Sequence, residues 1–328
     1  MKRREFLSLI GGAAVALPRR VGAQVAAPTL NWPQRVVRII VPFVPGGGTD
    51  AVARILAAGL SKSAGYQIVI ENKGGGSTNI GTEAVAHAAP DGYTVLFCSL
   101  PFAINRFLFA TLGWDSFTDF APVTLLATYP DLMAVPNTSP AKSVAEFIAY
   151  AKANGGKTTF SSSGTGTSTH LAGELFKRRA GIEMTHIPYR GAGPALTDLI
   201  AGRVDVVFNT FGATLGLVRA GQLRGLAVTS AQRFFAAPDL PTVAEAALPG
   251  FDVNAWYALY VPAATPPEIV RKLNADAVAV LADPNIRDKL EQLGVAVVGS
   301  TPEELARQLK AETELWGPVI KAANIRGE

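Results

Sequence analysis

Apolar runs alternate with helical patterns along almost the whole chain. Six short runs rich in β-branched and aromatic residues read as strands: "RVVRIIVPF" (35–43), "QIVIEN" (67–72), "YTVLFCS" (93–99), "KTTFSS" (157–162), "MTHIPY" (184–189) and "VDVVFNT" (204–210). Between them, apolar positions recur at helical spacing and predict helices over 50–63, 78–88, 143–153, 168–180, 193–201 and 213–220. Alternation of this kind predicts an α/β architecture with mainly parallel sheets. It breaks twice. "APVTLLATYPDLMAVP" (121–136) reads as two extended runs split at Pro130 with no helix between them, and 226–251 is irregular. Two such crossings predict two α/β lobes joined by hinge strands: lobe I over 31–126 and 231–328, lobe II over 127–230.

The first residues carry a different pattern. "MKRREFL" sets Arg3 and Arg4 ahead of an apolar or small stretch from Phe6 to Leu17, too short for a permanent membrane span. The spacing resembles a twin-arginine export signal, with Ser8 where lysine is usual, or else an ordinary secretory signal with a basic start, and small residues around Ala23 predict cleavage there. Residues 1–23 are then an export signal and 24–30 the start of the mature protein. This changes the charge picture. The whole chain has 30 basic and 26 acidic residues, but 1–23 holds five basic residues against Glu5, so the rest is balanced at 25 and 25. The basic pI belongs to the leader and gives no support to nucleic-acid or membrane-surface binding. Cys98 is the single cysteine, which excludes an internal disulfide, and its strand setting predicts an inert core thiol.

Two stretches carry candidate chemistry. "VPFVPGGGTDAVAR" runs from a strand through Gly46, Gly47 and Gly48 into a helix, and "TTFSSSGTGTSTHLAGELF" runs from a strand through Ser161–Thr167 into another. Glycines let backbone approach a ligand, and the first turn of a helix presents unpaired N–H groups of partial positive charge. One such loop on each side of a common crevice makes a two-sided anion clamp. Each loop alone reads equally as a turn with a cap, Thr49 or Asp50 serving the first helix. Neither fits G-x-x-x-x-G-K-S/T or G-x-G-x-x-G, so no cofactor is expected. The three histidines (His87, His170, His186) lack metal-ligand spacing, and no metal is expected. "SSSGTGTSTH" is not G-x-S-x-G, which argues against a hydrolase built on Ser163 and His170 and against an enzyme generally. His170 falls in the first turn of its helix, to line the crevice or to cap it.

These stretches, with "AAPDGYTVLF" (88–97), "DFAPVTLLA" (119–127), "HIPYRGAGPALTDLIAGRVDVVF" (186–208), "LRGLAVTSAQR" (223–233), "LPTVAEAALPGF" (240–251) and "RKLNAD" (271–276), resemble one family. It comprises the periplasmic substrate-binding proteins of tripartite tricarboxylate transporters, also called the Bordetella uptake gene family. The likeness follows the chain in order over nearly all of it. It implies a two-lobed type II periplasmic binding protein fold, with a ligand crevice between two mainly parallel sheets, that closes on a small organic carboxylate. Carried over, the carboxylate site falls on Gly46, Gly47, Gly48, Thr49, Ser162, Ser163, Gly164, Thr165 and Thr167. Phe43 would stand at the crevice mouth, and Tyr189 and Asp205 near the second-lobe wall. By its own setting Asp205 reads equally as a bond to neighbouring backbone, and Arg190 reads as facing solvent or a local carboxylate and not the ligand. Three positions depart from the family pattern. Gly74 and Val44 replace frequent prolines, which bears on pocket shape. Asn209 replaces a common aspartate, which removes an anionic partner for an amino group.

The resemblance implies a monomeric periplasmic binder that hands its carboxylate to integral-membrane transporter subunits and does not bind nucleic acid. A binder that reports ligand to a sensor kinase without transport has the same sequence requirements. Which carboxylate is bound does not follow from the residues.

Overall fold

The protein is described by a computed structural model, here for residues 30–327; the expected export signal (1–23), residues 24–29 and Glu328 lie outside the described residues. The compact unit starts at Trp32. Its first elements are β1 (Val37–Val41), α1 (Gly48–Ala64), β2 (Ile68–Asn72), α2 (Asn79–Ala86), β3 (Thr94–Cys98) and α3 (Pro101–Leu108). A long strand β4 (Phe120–Pro136) leads to α4 (Val144–Ala153), β5 (Thr159–Ser162), α5 (Ser168–Ala180), β6 (Thr185–Pro188), α6 (Ala192–Ile200), β7 (Val206–Thr210), α7 (Phe211–Arg219) and β8 (Leu223–Val228). The chain returns through α8 (Val243–Ala246) and β9 (Asn254–Pro262). It ends with α9 (Pro267–Ala282), α10 (Pro284–Gln292), β10 (Ala296–Val297) and α11 (Pro302–Ala322).

All six predicted strands and all six predicted helices are present. Strands such as β3, buried at all five positions, are continuous apolar runs because helices cover both faces of a parallel sheet. α3, Pro101–Leu108, is not marked by the sequence pattern because "PFAINRFL" is only about two turns long and carries just two adjacent polar residues, Asn105 and Arg106. In the first sheet, β2–β1–β3 run parallel and β9 joins antiparallel between β3 and β4. In the second, β7–β5–β6 run parallel and β7 pairs antiparallel with β4, which β8 also joins.

β4 therefore belongs to both sheets. The expected break at Pro130 is absent. Pro130 is the last residue paired with β9 (to Asn254), and Asp131 is the first paired with β7 (to Thr210). A proline lacks a ladder donor, and it occupies the point where the strand changes partners. Thr229 fastens this crossing. Its hydroxyl accepts from the Asp131 amide at 2.8 Å and donates to the Val253 carbonyl at 2.8 Å.

Three buried clusters surround the sheets. One lies under α1, α9 and α10, and another under α6 and α7. The third runs beneath α11 and includes Leu96 and Tyr260 of the first sheet with Phe160 and Phe208 of the second. Cys98 is buried there, and burial pushes its thiol well above the usual range, as expected of an inert core group.

Candidate functional site

Parallel strands place their carboxyl ends on one side, and the helix that follows each strand starts there. A cavity of about 600 Å3 opens at that edge. Five helices begin on its wall: α1 at Gly47–Thr49, α3 at Ser99–Pro101, α5 at Thr167–Thr169, α6 at Ala192, and α7 with Thr210, Gly212 and Ala213. Among the described lining residues none carries a formal charge. The volume lies in the range of small-ligand sites.

The first loop is shaped by a buried carboxylate. The helix is capped by the Gly47 backbone with no side-chain cap, so neither Thr49 nor Asp50 plays the capping role the sequence allowed. Asp50 instead turns back. Its carboxylate accepts from the Gly46 amide at 2.9 Å, Arg54 Nε at 2.9 Å and Asn72 Nδ2 at 3.0 Å. Burial pushes its pKa up, but these bonds outweigh burial and hold the carboxyl below its ordinary range. Gly46 has φ +86, a conformation that favours glycine, and this turn leaves Gly47 and Gly48 exposed to the cavity.

The second loop is held from within. The Ser163 amide donates to Thr169 Oγ1 at 2.9 Å, and Ser163 Oγ donates to Asn209 Oδ1 at 3.0 Å. The Gly164 amide donates to Ser162 Oγ at 3.2 Å, and the Gly166 amide to His170 Nδ1 at 3.2 Å. Thr167 caps α5 by accepting from the His170 amide. His170 and His186 stack with centroids 3.8 Å apart, and His186 Nε2 meets Ser162 Oγ at 2.7 Å. Burial keeps both rings neutral, lowering their pKa values to about 3 and about 4, with mutual repulsion and Lys177 adding to the effect on His170 and Lys177 on His186. The pair a hydrolase would need is not formed. Ser163 is bonded to Asn209, and His170 is buried against His186.

Of the residues singled out from sequence, Phe43, Gly47, Gly48, Thr49, Ser163 and Thr167 line the cavity. Gly46, Ser162, Gly164 and Thr165 belong to the same two loops but are not among the residues that line the cavity. Tyr189 donates to Asp198 Oδ2 at 2.6 Å. Asp205 lies just ahead of β7, at the opposite end of that strand from the cavity. It accepts from Tyr150 Oη at 3.0 Å, the Thr159 amide at 2.8 Å and Thr159 Oγ1 at 2.9 Å. Arg190 is exposed.

Several lining residues went unremarked in the sequence. Tyr129 of β4 and Tyr257 of β9 face each other on the wall, rings 5.0 Å apart, and burial pushes both phenols up. Gln292–Val295, the turn after α10, closes one side. A Cβ on Gly212 would come within 2.8 Å of the Leu293 carbonyl oxygen, so only glycine lets this turn and α7 meet. The signal available was the strand-to-helix junction itself, repeated at "CSLP" and "NTFGA" as well as at the two glycine loops.

A sequence model described as the tripartite tricarboxylate transporter family receptor matches residues 52–325. The chain belongs to this family. Among curated relatives, a protein of the tcbD–tcbE intergenic region of Pseudomonas sp. strain P51 is 40% identical over 309 residues, covering 94% of this chain and 92% of its own. Among solved structures, R. palustris Rpa4515 with adipate is 39% identical with a TM-score of 0.82, over 90% of this chain and 99% of that one. MatC from Rhodopseudomonas palustris with bound malate is 34% identical with a TM-score of 0.76, over 88% and 100%. The architecture is the two-lobed type II periplasmic binding fold.

Proposed function

We propose that this chain is an exported, periplasmic solute-binding protein that captures a small organic carboxylate and delivers it to a tripartite tricarboxylate-type membrane transporter. The observation that carries the reading is the convergence of five helix N-termini on one cavity whose described lining contains no cationic side chain. Amide donors and helix dipoles in a partly enclosed site favour an anion without a guanidinium. A hydrogen bond to a charged group contributes roughly 1.5–3 kcal/mol, so four or five amides match one bidentate arginine. The apolar side of the wall, with Val52, Leu100, Ala255 and Leu293, suits a carbon skeleton. Relatives solved with adipate and with malate support the class of ligand. The carboxylate site is assigned to the α1 and α5 loops, and the export route to the twin-arginine pattern at Arg3 and Arg4.

A thermal-shift panel of mono-, di- and tricarboxylates, including adipate and malate, tests the reading. A ligand at 100 times its Kd stabilises by about 2.7 kcal/mol, a readily measured rise in Tm. Silence across the whole panel would sink it. Delivery is tested by gene deletion, which should abolish uptake of the acid that binds.

A further inference from the structure

Asp131 is fully buried in β4, and neither carboxylate oxygen has a hydrogen-bond partner of good geometry. Its surroundings place it directly behind the cavity wall. Tyr129, two residues before it on the same face of β4, lines the cavity, and so does Ser168, the first residue of α5. The Ser168 hydroxyl is near enough to favour the ionised form of Asp131 but does not satisfy it. Its charge, when present, raises the nearby phenols of Tyr129 and Tyr257, and among the described residues no lysine, arginine or histidine shifts Asp131 itself. An isolated buried carboxylate is costly, and the group answers by keeping its proton.

We propose that Asp131 is a proton-carrying positioning residue of the binding site, neutral when the cavity holds an anion and competing with that anion for the α5 N-terminus when ionised. The inference rests on the carboxylate reading above. Ser168 is the coupling element. With Asp131 protonated, the Ser168 hydroxyl is released to donate into the cavity. With Asp131 ionised, the hydroxyl turns back to it, and the second negative charge opposes any anion docked at the same helix start. The proton comes from solvent and returns to it. Burial sets the exchange near neutrality, pushing the carboxyl up to about 7.

The test uses Asp131→Asn, a neutral replacement of the same shape, in two arms. The first needs no ligand. The folded-state pKa of Asp131 is raised above its unfolded value of 3.8, so its stabilising effect is complete below that value and lost as pH rises through about 7. The Tm of the variant minus that of the wild type should therefore grow between pH 4.5 and 7 and level off above. A difference that is flat with pH overturns the proposal.

The second arm titrates adipate and malate by calorimetry at pH 6.5 and 8.5, where ordinary carboxylic acids are ionised. If only the protonated site binds, wild-type affinity falls by up to about 25-fold across this range, as the competent fraction falls. Asp131→Asn should keep the pH 6.5 affinity at both values. A pH-independent wild type, or a fall that survives in the variant, also overturns it. Binding of neither acid counts against the carboxylate reading, while the ligand-free arm still decides on Asp131.

Discussion

Gly47→Val separates binding from folding more cleanly than any other substitution in the site. Gly47 has φ −82 and ψ 172, ordinary extended backbone that valine readily adopts. A Cβ built there meets nothing within 4 Å. Strain is therefore not the expected cause of any loss, contrary to what a glycine-rich loop suggests at first sight. The valine methyls instead enter the space in front of the α1 N-terminus, where the anion is proposed to sit. Losing one amide bond to a carboxylate removes roughly 1.5–3 kcal/mol, which is about a 10- to 150-fold loss of affinity. The assay pairs calorimetry against the tightest acid of the panel with a melting curve of the ligand-free protein. Affinity should drop at least tenfold while Tm stays within about 2 °C. Arg190→Ala, at an exposed position that is not among those lining the cavity, should change affinity by less than about tenfold. Wild-type affinity in Gly47→Val, together with loss of binding in Arg190→Ala, would refute recognition by the α1 amides.

Three further outcomes are expected. Ligand should draw the lobes together by bending near 127–136 and 226–234, and small-angle scattering unchanged by a saturating acid would count against this. His170 and His186 are held neutral when folded, with pKa values lowered to about 3 and about 4 from 6.5, so the unfolded chain binds their protons first and their contribution to stability should fall as pH drops below about 6.5, opposite in sign to that of Asp131. His170→Gln should flatten that acid limb of the Tm profile, and an unchanged limb would show that the rings are charged or exposed. Mature protein should start at or near Gln24, and Arg3→Lys with Arg4→Lys should block export; normal secretion of that double variant would indicate the general secretory route.

Much of the architecture was legible because it is written locally. Buried parallel strands are short apolar runs, the helices between them repeat at helical spacing, and each glycine-rich junction marks a strand end that faces a crevice. What was not legible depends on partners far away in sequence. Pro130 looked like a break because the change of pairing from β9 to β7 that accommodates it involves residues more than 75 positions further on. Tyr257 and Leu293 reach the cavity only after the chain has returned to the first sheet, and no motif distinguishes them from core residues. By sequence, Asp50, like Thr49, reads as a local cap because it stands within two residues of the helix start. Its actual role needs Asn72, brought alongside by the pairing of β1 with β2. The roles of Asp205 and Tyr189 in binding were inferred from resemblance alone, whereas their bonds to Thr159 and Asp198 require the folded chain.

If the cavity takes its anion as proposed, through helix ends and not through lysine or arginine, there is a consequence for the compartment in which it works. Helix-end fields act over the length of about one turn. Attraction between full charges reaches across a Debye length, about 10 Å in 0.1 M salt and about 3 Å in 1 M. With the chain beyond residue 23 balanced at 25 basic and 25 acidic residues, there is no net charge to draw an acid from a distance either. On the proposed reading, encounter is left largely to diffusion, and retention to contacts made after water and salt have been excluded. Such a receptor keeps nearly the same grip in brackish and in dilute surroundings, which suits a protein stationed outside the cytoplasmic membrane, where the cell does not control the salt.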